Sequence, residues 1–117
     1  MVAYEQQAAL LKLLAHPLRL QILDILRAGD ECVCHLSAAL SKPQPYVSQQ
    51  LAILRNGGAV TDYKEGTNVF YRLADENVRR QVEAACGPLP AVEAANGRRS
   101  VTGCHCPKCA DPISDRG

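Results

Sequence analysis

The chain has 117 residues, which predicts a single domain because two separate hydrophobic cores need a longer chain. Hydrophobic residues make up 47% and charged residues 21%, which excludes a disordered polar chain. A net charge of +1 excludes a protein held on nucleic acid by bulk positive charge, but it allows a small basic face. No apolar run approaches the roughly 18 residues of a membrane helix, and the first residues lack the form of a secretion signal. We therefore expect a cytoplasmic protein with no membrane partner.

Two helices are predicted in the first part of the chain. Residues 4–15 form the first, because apolar side chains recur at helical spacing: Ala8, Leu10, Leu11, Leu13, Leu14 and Ala15. This stripe is too broad for the surface helix of a monomer, so we expect it to pack on a second subunit. Pro17 suits the first turn of the second helix, and Gly29 marks its end.

A helix-turn-helix is predicted next. Residues 32–40 form a short third helix, and a fourth runs from about Pro45 to Asn56, where Gly57-Gly58 ends it. We expect these inward side chains on the two helices: Leu36, Ala39, Leu40, Val47, Leu51 and Leu54. Two helices of this size joined by a few residues are typical of a helix-turn-helix.

A β-hairpin and a last helix follow. Residues 59–64 and 67–73 predict two strands around a turn at Glu65-Gly66. The alternation places three side chains of the second strand on one face: Val69, Tyr71 and Leu73. Asp75 caps a helix that reaches about Cys86. The order of elements predicts a mainly α fold with a β-hairpin wing, a winged helix-turn-helix over residues 1–87, and a flexible Cys-rich tail over residues 88–117.

Three stretches resemble the ArsR/SmtB family of metal-sensing repressors. Residues 16–23 (HPLRLQIL) resemble the family's second-helix signature, and residues 31–36 (ECVCHL) resemble its metal box. Residues 47–55 (VSQQLAILR), followed by the sequence GGAV, resemble its recognition helix and the turn into the wing. The resemblance covers residues 5–86. It implies a homodimeric, non-enzymatic repressor that binds double-stranded operator DNA.

The fourth helix carries a candidate DNA-reading face. With its apolar stripe inward, the opposite face shows Tyr46, Ser48 and Gln49, with Gln50 at the margin. Gln can contact adenine with two hydrogen bonds in the major groove. The full set of candidate DNA contacts adds flanking polar and basic residues: Lys42, Gln44, Arg55, Lys64 and Arg72. The family usually has His at the place of Gln50, which we interpret as a changed sequence preference. The alternative is an ordinary solvated polar face.

Dimerisation is expected from the apolar faces of the first and last helices. On the last helix these residues are Val78, Val82 and Ala85. Two copies facing one side of a duplex would read half-sites about 34 Å apart, or a multiple of that distance. The alternative is that the same stripes close the core of a monomer.

Cys32 and Cys34 form a candidate thiol site. Two residues apart in an ideal helix means about 200° of rotation, so these thiols converge only at a frayed helix start. A helix N-terminus also favours the thiolate that soft metals require. Arsenic-sensing relatives resemble Cys-x-Cys-x-x-Cys at this place, but here the third position is Ser37.

The Cys-rich tail is the expected substitute for the missing ligand, from the same or the other subunit. Its thiols are Cys104, Cys106 and Cys109. Sulfur coordination suits As(III), Cd, Pb or Zn as the inducer, three sulfurs favouring As(III) or Pb and four favouring Cd or Zn. The alternatives are an independent zinc knuckle that includes His105, and Cys32 as a small buried hydrophobe.

Other candidate ligands are interpreted structurally. His35 is expected on the helix surface rather than at a metal, His16 in a structural turn, and Cys86 in helix-end packing. The zinc site that some relatives carry on the last helix is excluded, because Asp75 is followed by Asn77 and no His.

The sequence thus favours a repressor that releases its operator when a thiophilic ion binds. The nearest rival is a thiol-redox or persulfide-sensing repressor, in which Cys32 or Cys34 joins Cys86 or a tail cysteine. An enzyme or a metal carrier is the third hypothesis, because Cys106-Pro-Lys-Cys109 resembles a dithiol oxidoreductase motif, but the strand-to-helix context of that motif is missing.

Overall fold

A computed structural model describes residues 3–89, and the tail cysteines Cys104, Cys106 and Cys109 lie outside the described residues. The elements in chain order are α1 (Tyr4–Leu14), α2 (Pro17–Leu26), β1 (Glu31–Cys32), α3 (Val33–Leu40), α4 (Gln44–Asn56), β2 (Val60–Glu65), β3 (Asn68–Leu73) and α5 (Glu76–Cys86). This order confirms the predicted winged helix-turn-helix. None of the helices in the described range has the length and apolar character needed to cross a membrane.

Side-chain caps fix where two of the helices begin. The Nδ1 atom of His16 accepts a hydrogen bond from the Leu18 amide at 3.2 Å, and Pro17 occupies the first turn of α2, where a missing N–H costs nothing. The Oδ1 atom of Asp75 accepts from the Val78 amide at 2.9 Å and starts α5. The predicted structural role of His16 is confirmed.

The core is aliphatic and draws on all five helices and the base of the wing. Its buried members are Leu14, Leu18, Ile22, Leu23, Leu26, Leu36, Val47, Leu51, Leu54, Ala59, Val60, Leu73, Val78 and Val82. Val78 and Val82 therefore pack within their own chain, as the monomer-core alternative expected, while Ala85 of the same helix is exposed. Ala39, expected inward on α3, is exposed as well.

The sheet has a strand that the sequence did not predict. Its order is β1-β3-β2, all antiparallel, with Glu31 paired to Tyr71 and Cys32 paired to Phe70. Two residues are too few for an alternating pattern, so β1 exists only because β3 offers an edge to pair with. In consequence α3 begins at Val33, one residue later than predicted, and Cys32 is its N-cap.

A residue with left-handed backbone conformation makes the turn between the two helices of the helix-turn-helix. Ser41 follows α3 with φ of 55°, and the Lys42 amide donates to the Ser37 carbonyl at 3.1 Å. The Ser37 hydroxyl donates back to the Lys42 carbonyl. Ser37, the residue at the third position of the metal box, thus helps to hold the turn that leads into α4.

Candidate DNA-reading surface and thiol site

Helix α4 presents a polar face to solvent, as predicted. Tyr46, Ser48 and Gln49 are exposed, whereas Val47 and Leu51 are completely buried. Lys42, two residues before the helix, and Gln44, its first residue, are exposed as well. The sequence therefore identified which side chains of this helix face solvent.

Gln50 differs from the expectation. Only 7% of this residue is exposed, and its Oε1 atom accepts a hydrogen bond from Nε of Arg19 at 3.1 Å. Gln50 is thus turned toward α2 instead of standing at the margin of the exposed face. Arg19 also donates from Nη1 to the Leu13 carbonyl at 2.9 Å. The sequence analysis did not single out Arg19, because α2 also carries Gln21 and Asp24 and a charged residue there is no distinctive signal.

The basic candidates around the wing are exposed, and two of them have acidic neighbours. Arg55 lies 2.9 Å from the Asp62 carboxylate, and Nε of Arg72 lies 3.9 Å from Oδ2 of Asp30. Lys64 is exposed near the hairpin turn. The wing is therefore a polar arm on which basic side chains are partly balanced by carboxylates, in agreement with the small net charge.

The two thiols converge, as the sequence predicted for a helix start. The Sγ atoms of Cys32 and Cys34 lie 3.1 Å apart. The Cys32 sulfur also accepts from the His35 amide at 3.4 Å, which is the N-cap interaction of α3. Cys32 is 3% exposed, whereas Cys34 is half-buried and open to solvent on one side. An ion could therefore approach the pair from the Cys34 side.

A buried histidine and carboxylate lie beside the thiols. The prediction that His35 is a surface residue is wrong, since the residue is 1% exposed and its Nδ1 lies 3.4 Å from Oε1 of the equally buried Glu31. The reason is β1, which draws Glu31 into the sheet and turns the first turn of α3 against it. Burial of two such polar side chains is favourable only when they contact each other or other polar groups.

The described residues do not provide a complete metal site. Among residues 3–89, no group of three or more His, Cys, Asp or Glu side chains is arranged to hold a metal ion. Cys86 lies at the end of α5 and is exposed, so helix-end packing does not describe it. Partial burial and the nearby Asp24 carboxylate raise the pKa of the Cys86 thiol above its ordinary value.

Comparison with known proteins adds sequence evidence to this geometry. Residues 16–62 match the family model described as bacterial regulatory protein, arsR family. The chain is 46% identical over 77 residues to the biofilm growth-associated repressor of Agrobacterium fabrum, which covers 66% of each protein. It is 46% identical over 66 residues to the arsenical resistance operon repressor of Escherichia coli, 56% of each. The chain thus spans less than two thirds of the length of these two relatives.

Solved structures give the same result. HlyU from Vibrio cholerae has 38% identity and a TM-score of 0.68 over 70% of this chain and 89% of that one. The homodimeric winged helix-turn-helix DNA-binding domain of Mb0332 from Mycobacterium bovis, a possible ArsR-family regulator, has 36% identity and a TM-score of 0.66 over 70% of this chain and 76% of that one. The Agrobacterium fabrum and Escherichia coli relatives are repressors. This chain belongs to the ArsR/SmtB family of winged helix-turn-helix transcriptional regulators.

Proposed function

We propose that the chain is a homodimeric repressor that binds double-stranded operator DNA and releases it when a thiophilic ion binds its cysteines. The exposed face of α4 supports the DNA-binding part. Tyr46, Ser48 and Gln49 supply hydrogen-bonding groups for base edges or phosphates, and the flanking Lys42 and Arg55 supply positive charge. Gln50 takes no direct part in this contact, because it is engaged with Arg19.

The apolar face of α1 supports the dimer. Tyr4 is 81% exposed and Leu11 is 50% exposed, and Ala8 lies between them on the same helical face. An exposed apolar stripe of this kind is the usual mark of a protein interface. The Mb0332 domain, which has the same fold, is homodimeric. Two copies joined through α1 would place two reading helices on successive turns of the duplex.

One observation carries the ion-sensing part: the sulfur atoms of Cys32 and Cys34 lie 3.1 Å apart where α3 begins. Paired sulfurs at a helix N-terminus are suited to As(III), Cd, Pb or Zn. A related protein is an arsenical resistance operon repressor. We propose that one or more of the tail thiols complete the ligand set, namely Cys104, Cys106 and Cys109, so that residues 88–117 act as a ligand-bearing extension of the domain.

Coupling between ion and DNA follows from the position of the pair. Cys32 caps α3, which packs against α4 through the turn at Ser41. An ion that binds the Cys32 sulfur competes with the cap interaction from the His35 amide. The ion releases DNA only if it favours the weakly binding conformation, which in regulatory proteins typically amounts to about 1–3 kcal/mol.

The test compares Cys34→Ser with the matched control Cys86→Ser. Operator affinity is measured with and without arsenite and cadmium, on a duplex that the wild-type protein selects from a random pool. We expect Cys34→Ser to bind the operator as wild type does but to lose ion-induced release, and Cys86→Ser to keep both. Release that persists in Cys34→Ser contradicts the proposed site.

The ligand set is tested by X-ray absorption on ion-loaded protein with and without residues 100–117. We expect the number of sulfur neighbours to fall when these residues are removed. An unchanged sulfur count contradicts the proposed role of Cys104, Cys106 and Cys109. Mixed dimers, in which one subunit lacks the tail, then distinguish ligands from one subunit and from two.

The same sulfur pair favours a second candidate function, a thiol-redox response. Oxidation by a peroxide would join Cys32 to Cys34, with two thiols and one peroxide giving one disulfide and two water molecules. Mass spectrometry under low oxidant doses tests this candidate against metal titration. A new bond between cysteines together with the absence of ion binding favours the redox response over the ion response.

A further inference from the structure

The strand β1 places the thiol pair directly against the wing. Cys32 lies opposite Phe70 of β3, and both are buried, at 3% and 2% exposure. They form a small apolar cluster separate from the main core, and Cys34 packs against it. Phe70 lies on the face of β3 opposite to Val69, Tyr71 and Leu73, and it is buried beside Cys32. The side chain across from the thiol is therefore part of the hairpin.

The contact continues across the sheet to the outer strand of the wing. Phe70 lies opposite Tyr63 of β2, and their rings are stacked with centroids 5.7 Å apart and an interplanar angle of 28°. Cys32, Phe70 and Tyr63 thus form one row across three neighbouring strands. Any displacement of β1 that separates Cys32 from Phe70 must also disturb this row.

Asp30, which precedes the thiols, forms a hydrogen bond with Tyr63 at the outer end of this row. The Tyr63 hydroxyl donates to Oδ2 of Asp30 at 2.7 Å, a short distance typical of a hydrogen bond to an ionised acceptor. The same hydrogen bond raises the pKa of the Tyr63 phenol above its ordinary value. Asp30 lies two residues before Cys32, so the thiol-bearing segment and the wing hairpin are joined at both Phe70 and Tyr63.

Arg72 completes this group on the same face of β3 as Phe70. Its Nε atom lies 3.9 Å from Oδ2 of Asp30, and its guanidinium carbon lies 5.7 Å from the centre of the Tyr63 ring. An exposed ion pair of this length contributes little to stability on its own. The ring and the carboxylate together nevertheless restrict a long side chain that would otherwise occupy many rotamers.

We propose that Asp30 and Tyr63 are positioning residues that orient Arg72 for its contact with DNA and tie that contact to the thiol pair. The inference rests on the proposed function, in which Cys32 and Cys34 bind the ion, and on the expectation from the sequence that Arg72 of the wing contacts DNA. The coupling follows from chain position, because the thiols of the ion site and the Asp30 carboxylate near Arg72 both belong to residues 30–34. A displacement of this segment would therefore displace wing residues directly, without a change in α4.

The first experiment uses ion-free protein. Tyr63→Phe keeps the stacked ring and removes the hydroxyl, Asp30→Asn removes the charge, and Tyr71→Phe is the matched control on the other face of β3. Affinities are measured for the selected operator and for a scrambled duplex. We expect both test variants to lower the operator-to-scrambled affinity ratio about five- to tenfold, the size of one lost contact between an oriented Arg72 and a base edge, and Tyr71→Phe to leave it within about twofold.

The double variant Asp30→Asn with Arg72→Ala shows whether the two residues act together. If Asp30 acts by orienting Arg72, its replacement adds nothing to the loss that Arg72→Ala already causes. Thermal unfolding of each variant verifies that the fold is intact. Independent, additive losses, or an unchanged affinity ratio in both Tyr63→Phe and Asp30→Asn, would overturn the positioning role.

The second experiment repeats the measurements with cadmium, whose binding is followed separately by its absorption with thiolates. We expect Tyr63→Phe and Asp30→Asn to bind cadmium as wild type does, with a smaller cadmium-induced loss of operator affinity. If neither cadmium nor arsenite affects wild-type DNA binding but the ion-free ratios fall as expected, the ion-sensing proposal is wrong and the positioning of Arg72 stands. If cadmium releases DNA equally from wild type and both variants, the tie to the thiols is wrong. A chain that selects no duplex overturns both proposals.

Discussion

Nε of Arg19 and Oε1 of Gln50 are joined by a hydrogen bond of 3.1 Å between α2 and α4. Because Arg19 also donates to the carbonyl of Leu13 at 2.9 Å, one guanidinium connects the last turn of α1, helix α2 and the reading helix. In a dimer formed through α1, this connection would help to set the angle at which α4 meets the duplex. We therefore expect Gln50 to act on DNA binding through the position of α4 and not through contact with a base.

Replacement of Gln50 is expected to affect stability more than base preference. Gln50→Ala leaves the buried end of Arg19 without this acceptor, which lowers the free energy of unfolding by about 1–2 kcal/mol. Gln49→Ala, at the exposed neighbouring position, is the matched control and should change stability by less than about 0.5 kcal/mol. Urea denaturation and selection of DNA sequences measure the two effects. A changed base preference in Gln50→Ala with unaltered stability would show that Gln50 faces the groove.

A larger side chain at Gly57 is expected to lower stability, because Leu13 of α1 occupies the space beside this glycine. A Cβ atom at this position would lie 2.5 Å from Cδ2 of Leu13, so Gly57→Ala must move the Leu13 side chain and should lower the free energy of unfolding by about 1 kcal/mol. The added variant Leu13→Ala removes the clash, and the two changes together should cost less than their sum.

Gly58→Ala is the control for the paired substitutions of Gly57 and Leu13. Within residues 3–89, apart from its chain neighbours, no atom lies within 4 Å of its Cβ position, but its φ of +84° penalises any side chain. Its cost should therefore not be relieved by Leu13→Ala. Equal non-additivity at Gly57 and Gly58 would mean that contact with Leu13 is not the cause.

The cap of α5 is expected to support both the helix and the core beneath it. Asp75→Ala removes the acceptor for the Val78 amide, 2.9 Å away, and should cost about 1 kcal/mol of folding free energy. Asp75→Asn keeps an acceptor oxygen and should cost only a small part of this. Chemical denaturation of both variants measures the difference. Equal losses would indicate that the carboxylate charge, and not the cap hydrogen bond, stabilises α5.

Cys86 is expected to react slowly at neutral pH. Burial and the Asp24 carboxylate raise its pKa, whereas Arg27 lowers it, so less thiolate is present near pH 7 than in an ordinary cysteine. Asp24→Asn removes the repulsion and leaves Arg27, which should lower the pKa and accelerate alkylation. Mass spectrometry of the peptide with Cys86, over a pH series, gives the rates, with Asp62→Asn as the control. A thiol that titrates at or below its ordinary pKa contradicts this.

Local patterns of the sequence were sufficient for the helices, the hairpin and the exposed face of α4. Helical spacing identified α1 and the inward Val47, Leu51 and Leu54, since burial on one side of a helix repeats every three or four residues. The convergence of Cys32 and Cys34 was also predictable, because it depends only on the geometry at the start of a helix. The family resemblance, carried by short motifs, agreed with these local patterns.

The contacts that join distant segments were decided by the tertiary structure. β1 has two residues and no pattern of its own, and it forms because β3 supplies a free edge. Glu31, His35 and Phe70 are all buried beside it, although the sequence had predicted a surface position for His35. Gln50 turned inward for a similar reason, since its partner Arg19 lies 31 residues away in the chain. Periodicity determines which side of an element is apolar, but only packing determines which polar side chains find partners inside.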